Sequence, residues 1–419
     1  MKGKLITISV VVLILALLLT VAPSCGKGEE VGPGVTPTPG VTPTPTPQAK
    51  VLKIGFVGPL SGMGAGWGLP YETGAKWAAD RINGAGGFKV GPDTYILKIV
   101  SCDDKMMGSG DVDCAAKLIY DEGVGYIIGP IGATGAVAMQ DALFRNNVIS
   151  SDVGAYYDPS PENPYRILGF PLGSDATWMR TFVDMVLKQH PEIKTVALIN
   201  AQGSQTTWHA GEMQVAEQYG LKVVAEEFYE GGTTDFYPML TKVIGKHPDA
   251  MNLESSAPGY MALIIKQARE LGYQGIIFAP NGVLPEFLIP TTGVAAAEGY
   301  LCNQPDYSSP IWPEATRALY TDYMKRYPQI SMYTTTLSAF VSVNVFVSAI
   351  QQAGTTDTKR VREIFDDPNF TFDCFGFPGK KFCGRETYGT ARVLPFPNAM
   401  SVITNGKMKQ LDMAWVEVP

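Results

Sequence analysis

Along Val51–Pro130, apolar residues fall by turns into short unbroken runs and into spacings of three and four. Val51–Val57 is a run of the length and composition of a buried parallel strand. Tyr71–Asn83 sets Ala75, Ala78, Ala79 and Ile82 on one helical face, and Gly84-Ala85-Gly86-Gly87 ends that helix. Tyr95–Ser101 predicts a second strand, Asp113–Asp121 a second helix and Gly125–Gly129 a third strand. Between the first strand and helix, Pro59–Gly68 carries Gly62, Gly64, Gly66 and Gly68, so its backbone is free to turn tightly and approach another group closely. Strands and helices in alternation imply a parallel sheet covered on both faces. Ligands of such sheets lie beyond the carboxyl ends of the strands. Ser61–Gly68, Cys102–Lys105 and Pro130–Gly135 are therefore expected around one crevice.

The pattern starts again after Lys194. Thr195–Asn200, Leu221–Glu226, Ala250–Leu253 and Gly275–Ala279 predict strands, separated by helices over Gly211–Tyr219, Phe236–Gly245 and Tyr260–Leu271. The expected fold class is α/β: two Rossmann-like lobes with parallel sheets, their strand ends facing each other across a cleft suited to a small ligand. The 419 residues exceed what one core usually holds. A net charge of -7 with no basic run beyond Lys380-Lys381 argues against nucleic acid as a partner.

The N-terminus has the pattern of an export signal. Lys2 and Lys4 precede an uncharged stretch, Leu5–Val21, and small residues lead to Cys25. Val21-Ala22-Pro23-Ser24-Cys25 resembles a bacterial lipoprotein processing site, with residues 1–25 as signal peptide and Cys25 as the lipidated new N-terminus. A Leu is usual where Ala22 stands, and Pro23 is foreign to the pattern. An uncleaved anchor and plain secretion are the alternatives, and all three export the chain. Residues 26–50 contain GPGVTPTPGVTPTPTP, whose repeated Thr-Pro favours an extended polyproline II stalk. Export permits disulfides. Cys102 with Cys114, and Cys374 with Cys383, each bracket a short loop and are the expected pairs, leaving Cys302 over. No Cys-x-x-Cys spacing or histidine cluster suggests a metal.

Several stretches resemble the extracytoplasmic solute-binding proteins of branched-chain amino acid ABC transporters. They are IGFVGPLSGMGAGWG…GAKWAADRING, AAKLI…VGYIIGP, GLKVVAEEFYEGGTTDFYPMLTKV, PDAMNL, KQARELGYQGIIF and AAEGYL, which keep their order along Val51–Pro419. The resemblance implies a type I periplasmic-binding-protein fold with a three-segment hinge. Residues 51–171 and 304–388 would form the N-terminal lobe, and 172–303 and 389–419 the C-terminal lobe. Crossings are expected near Gly169–Gly173, Asn303–Asp306 and Tyr388–Leu394. It further implies capture of a small solute by hinge closure and delivery to membrane permease subunits by a lipid-anchored monomer without a cofactor.

Carried over residue by residue, the resemblance sets Trp67 where an aromatic ring covers the ligand. Ala133 and Thr134 occupy the slot of a carboxylate-binding Ser, where backbone N–H groups at a helix start could still hold an anion. The loop Ser150–Tyr157 contributes Asp152, Gly154 and Tyr156, with Asp152 favouring a cation or a hydroxyl. Ser204 and Gln205 stand where a Tyr-Gly pair is common, and Glu254 and Ser255 follow the next strand. Asn281 replaces an acidic residue that pairs with the α-ammonium of amino-acid ligands. A neutral amide does not offset a buried charge, so a standard branched-chain amino acid is a poor fit unless Glu254 or Asp152 takes over. Tyr333 would line the cleft from the hinge. The expected ligand is a carboxylate- or amide-bearing, aromatic or amino-acid-like organic solute. A sensor lobe signalling to a partner protein is the alternative. An enzyme is disfavoured: no nucleophile–base pair stands out, and GPLSGMGAGWG lacks a dinucleotide fingerprint.

Overall fold

The structure, a computed structural model, describes residues 49–154, 157–203 and 208–419; Cys25 and the Thr/Pro stalk lie outside them. Six strands form the first sheet: β1 (Lys50–Gly58), β2 (Phe88–Val90), β3 (Asp93–Asp103), β4 (Tyr126–Ile131), β5 (Ile149–Val153) and β6 (Arg166–Leu168). Their order is β2-β3-β1-β4-β5-β6, parallel except for the antiparallel edge strand β2. The second sheet holds β7 (Thr195–Ala201), β8 (Lys222–Tyr229), β9 (Ala250–Asn252), β10 (Ile276–Ala279), β11 (Leu301–Cys302), β12 (Phe396–Thr404) and β13 (Lys407–Val416). Its order is β13-β12-β11-β10-β9-β7-β8, parallel from β8 to β11. The fold is α/β in two lobes, as the resemblance implies.

The second helix starts at Gly108 rather than the expected Asp113, and two further elements depart from the sequence expectation. The first helix begins at Ala65, inside the Gly-rich stretch, and runs to Gly84. Its glycines are contact points rather than loop hinges. A Cβ on Gly68 would stand 1.9 Å from the Pro59 carbonyl oxygen, and one on Gly74 2.1 Å from that of Thr336. The second departure is the antiparallel hairpin β12–β13, which closes the second sheet. It turns at Asn405-Gly406, both with positive φ, as a tight two-residue hairpin requires.

The helix Thr334–Ala353 is long and apolar enough to cross a membrane, yet it lies buried in the first lobe against the Ala65–Gly84 helix. Continuous burial explains its all-round apolar character.

The chain passes between the sheets along three segments. Residues 169–176 lead from β6 to the helix Thr177–Gln189, which packs on β12. Residues 303–313 lead from β11 to the helix Glu314–Arg326, where Asp322 Oδ2 accepts from the Trp77 indole at 2.9 Å. Residues 389–395 return to β12. The first and third lie side by side, Leu168 N–H donating to Arg392 O at 2.8 Å and Leu394 N–H to Leu168 O at 3.0 Å.

Cys102 and Cys114 form the expected disulfide. Cys374 and Cys383 do not pair, which corrects the second expectation. Cys374 turns into the core with its thiol toward Pro395 O, whereas the Cys383 thiol faces Val393 O across a short bridge. Burial pushes both thiols up, Cys383 to about 12.

Overpacking at the Ala65–Gly84 and Thr334–Ala353 crossing is the most direct test of this packing. Gly74→Ala is expected to lower unfolding stability by about 1–3 kcal/mol. Gly84→Ala, whose Cβ meets nothing within 4 Å, is expected to leave it unchanged or slightly raised. Denaturant melts of the two variants read the difference.

Candidate functional site

Where the strand ends of the two sheets face each other, the lobes enclose a cavity of about 490 Å³. The first lobe contributes Met63 and Trp67 before and within the first helix, the turn Lys105–Gly108, Asp111, and the start of the helix Ala133–Arg145. The second contributes residues 201–203, Trp208, Glu254, Ser255, Tyr260 and Asn281. The lobes also touch. The Trp67 indole N–H reaches Gly282 O at 3.5 Å, and a Cβ on Gly66 would stand 2.9 Å from Pro258 Cβ. This is a closed arrangement.

The second-lobe wall is organised around carboxyl groups. Glu254 is fully buried, its Oε2 accepts the Asn281 N–H at 2.6 Å, and its own N–H donates to Asn252 Oδ1 at 3.1 Å. Its Oε1 meets no hydrogen-bond donor among the described residues. Behind it Glu212 accepts from the amides of Asn200 at 2.8 Å and Asn252 at 2.9 Å, and Ser255 Oγ–H donates to Asn200 Oδ1 at 2.5 Å. His209 joins Glu226 at 3.0 Å.

Residues 51–391 match the family model described as periplasmic binding protein. The chain belongs to that family. It is 24% identical over 343 residues to the leucine-, isoleucine-, valine-, threonine- and alanine-binding protein of Pseudomonas aeruginosa, covering 78% of this chain and 86% of that one. It is 26% identical over 315 residues to a Leu/Ile/Val-binding protein homologue of Brucella melitensis, covering 73% of this chain and 80% of the relative. Among solved structures, the branched-chain amino acid substrate-binding protein LivJ of Streptococcus pneumoniae with isoleucine superimposes with a TM-score of 0.74. The identity there is 21%, over 88% of this chain and 100% of that one. An ABC-transporter solute-binding protein of Rhodopseudomonas palustris with benzoate gives a TM-score of 0.70 at 17% identity, over 88% and 97%. The relatives are named as binding proteins rather than enzymes, and this chain, a periplasmic binding protein, is a solute-binding protein.

Of the expected ligand residues, Trp67, Ala133, Thr134, Glu254, Ser255 and Asn281 line the cavity of this binding protein. Asp152, Gly154 and Tyr333 do not. Asp152 is held by the Arg166 guanidinium through two bonds of 2.7 and 2.8 Å, with neither group exposed, so it has no charge left to offer a ligand. Gly154 donates its N–H to the same carboxylate at 2.8 Å. The Tyr333 hydroxyl donates to Gly282 O beneath the cleft, and burial holds it well above the usual phenol range. Tyr156, Ser204 and Gln205 lie outside the described residues.

Sequence reasoning missed an acidic pair on the first-lobe wall. Asp111 lines the cavity with Asp104 behind it; both are buried, and Asp104 Oδ2 and Asp111 Oδ1 meet no donor among the described residues. Two carboxyls in contact cannot both ionise cheaply. Burial first, then the neighbouring Asp104, pushes Asp111 up to about 8, so the pair shares a proton at neutral pH. Gly135 makes room for it: a Cβ there would stand 2.5 Å from Asp111 Oδ2. Burial likewise raises Glu254 well above the carboxylate range, helped by the charge of Glu212. The available signal was the doublet Asp103-Asp104, within the stretch Cys102–Lys105 expected to border the crevice, with Asp111 following among glycines.

An acid whose folded pKa exceeds its unfolded value binds protons more tightly when folded. Its contribution favours folding at low pH and is lost as pH rises from about 4 to 8. Asp111→Asn removes that loss. The melting temperature of the variant minus that of the parent is therefore expected to be larger at pH 8 than at pH 5, and a difference constant with pH would contradict the buried pair.

Proposed function

We propose that the protein is an exported lipoprotein, anchored at Cys25 and spaced from the membrane by its Thr/Pro stalk. It captures a small nitrogen-bearing organic solute between its lobes and hands it to the permease of an ABC importer. The observation that carries the reading is Glu254, a fully buried carboxyl on the cavity wall whose Oε1 lacks a donor among the described residues. Asn281 leaves the customary acidic position neutral, and Glu254, tied to the Asn281 backbone, supplies a carboxyl beside it. An unpaired buried carboxyl is costly, and a ligand N–H or ammonium at Oε1 offsets that cost. The named ligands of the relatives, branched-chain amino acids among them, carry such a group and support the same reading.

Trp67, Trp208 and Tyr260 supply aromatic surface for the body of the solute. Because contacts come from both lobes, binding favours the closed form, and the closed form is the shape the permease would recognise.

A thermal-shift screen of the purified full chain with amino acids, amides, amines, carboxylates and sugars tests this. At least one amine or amide is expected to raise the melting temperature. Trp67→Ala should weaken that compound by about 2–4 kcal/mol in calorimetry, and Glu254→Gln should weaken it as well. Shifts with sugars or carboxylates only, or none at all, would count against the proposal.

A further inference from the structure

In this family reading the solute has two ends, and the first-lobe end is decided by what already sits there. The start of the helix Ala133–Arg145 carries no acidic side chain in its first turn and opens on the cavity through Gly132–Gly135. Free N–H groups at such a start would suit a ligand carboxylate. The Asp111 carboxyl lies over that turn, against Gly135, with its oxygens 2.5 and 2.6 Å from where a Cβ would be. A carboxylate brought there would meet the chain's own acid, backed by Asp104.

Cations do not redress the balance. Among the described residues no ion pair includes Asp104, Asp111 or Glu254, whereas the equally buried Asp152 has Arg166. Lys105 is the single cation on the cavity wall among those residues, and it is exposed. The other charged neighbour, Asp103, is taken up by Leu60 N–H at 2.8 Å and Ser61 O–H at 2.6 Å. The first turn of the helix Ala133–Arg145, packed against Asp111, adds no charge, and Glu254 faces the cavity from the other lobe. Between the two acidic walls stand Met63, Trp67, Met106, Leu172, Trp208 and Tyr260. Apolar and aromatic surface of this kind suits a hydrocarbon spacer and the faces of ammonium groups.

We infer that the Asp104–Asp111 pair is a second recognition site within the cleft, opposite Glu254, and that the solute is an aliphatic diamine, with one ammonium group at each acidic wall and no carboxylate. The inference rests on the reading of Glu254 given above. Each ammonium replaces the proton that its wall keeps in the empty cleft, so binding at pH 7 releases protons to the buffer. Asp111 titrates at about 8, which keeps a proton on the first-lobe wall before the ligand arrives, and burial favours the protonated form of Glu254.

Isothermal titration calorimetry of the purified full chain with 1,5-diaminopentane, 1-aminopentane and L-leucine tests it. The diamine is expected to bind at least tenfold more tightly than either of the others. Asp111→Asn should bring the diamine down at least tenfold, toward the affinity that 1-aminopentane shows for the unsubstituted protein. For the unsubstituted protein, repeating the diamine titration in phosphate and in Tris should give different heats, reporting proton release without relying on any variant. L-Leucine binding more tightly than the diamine, losing affinity in Glu254→Gln but not in Asp111→Asn, would overturn the inference and leave the function proposed above standing. Diamine binding with equal heats in the two buffers would overturn the cation-for-proton exchange. Failure of all three compounds, with Glu254→Gln indistinguishable from the parent in the wider thermal-shift screen, would overturn both.

Discussion

The closed cleft depends on one short turn, residues 280–282 after β10. Its three backbone groups point three ways. Pro280 O accepts the Trp178 indole N–H at 3.3 Å from the helix that follows the first crossing. The Asn281 N–H fixes the Glu254 carboxyl at 2.6 Å. Gly282 O receives Trp67 from the first lobe at 3.5 Å, Gln304 from the second crossing at 3.3 Å and the Tyr333 hydroxyl at the head of the buried helix. A carbonyl that collects donors from the first lobe and from the crossing segments ties closure to their arrangement. The turn has room for only one residue type at Gly282, since a Cβ there would stand 2.3 Å from Cys302 Cβ.

From that turn the ligand chemistry follows. Glu254 is presented to the cavity because β9 ends just before it, the Asn252 side chain accepts its N–H, and the Asn281 N–H donates to its carboxyl. Opposite, a disulfide joins the end of β3 to the helix that carries Asp111, bracketing the turn of Asp104. Both walls thus keep carboxyl groups out of water on rigid supports, a preorganised arrangement that lowers the cost of binding a donor. The cavity between them is mainly apolar, so in the proposed reading the polar ends would select and the middle would supply burial.

Much of the architecture was legible because it rests on periodicity. Seven strand runs and the helices between them each carry a local apolar pattern, and β1, β3, β4, β7, β8, β9 and β10 fall where that pattern lies. What was not legible depends on partners distant in sequence. The helix start at Ala65 depends on Gly68 and Gly74 fitting against Pro59 and Thr336. Asp152 seemed available to a ligand because Arg166 sits on β6, a three-residue strand with too few positions to show a pattern. Cys374 and Cys383 are close in sequence, but their thiols face different carbonyls. In the site, Glu254 was readable as one of two acids, with Asp152, able to take over from the acidic residue that Asn281 replaces. The Asp104–Asp111 pair was not, because its meaning lies in a shared proton and in the space left by Gly135.

The crystal structure of the protein with 1,5-diaminopentane tests the central claim most directly. The account predicts a ligand nitrogen within about 2.7–3.2 Å of Glu254 Oε1, the second nitrogen against Asp111, and Trp67 still donating to Gly282. An empty cleft, or a co-purified solute whose carboxylate reaches the first turn of the helix Ala133–Arg145 while Glu254 Oε1 meets only water, would contradict it.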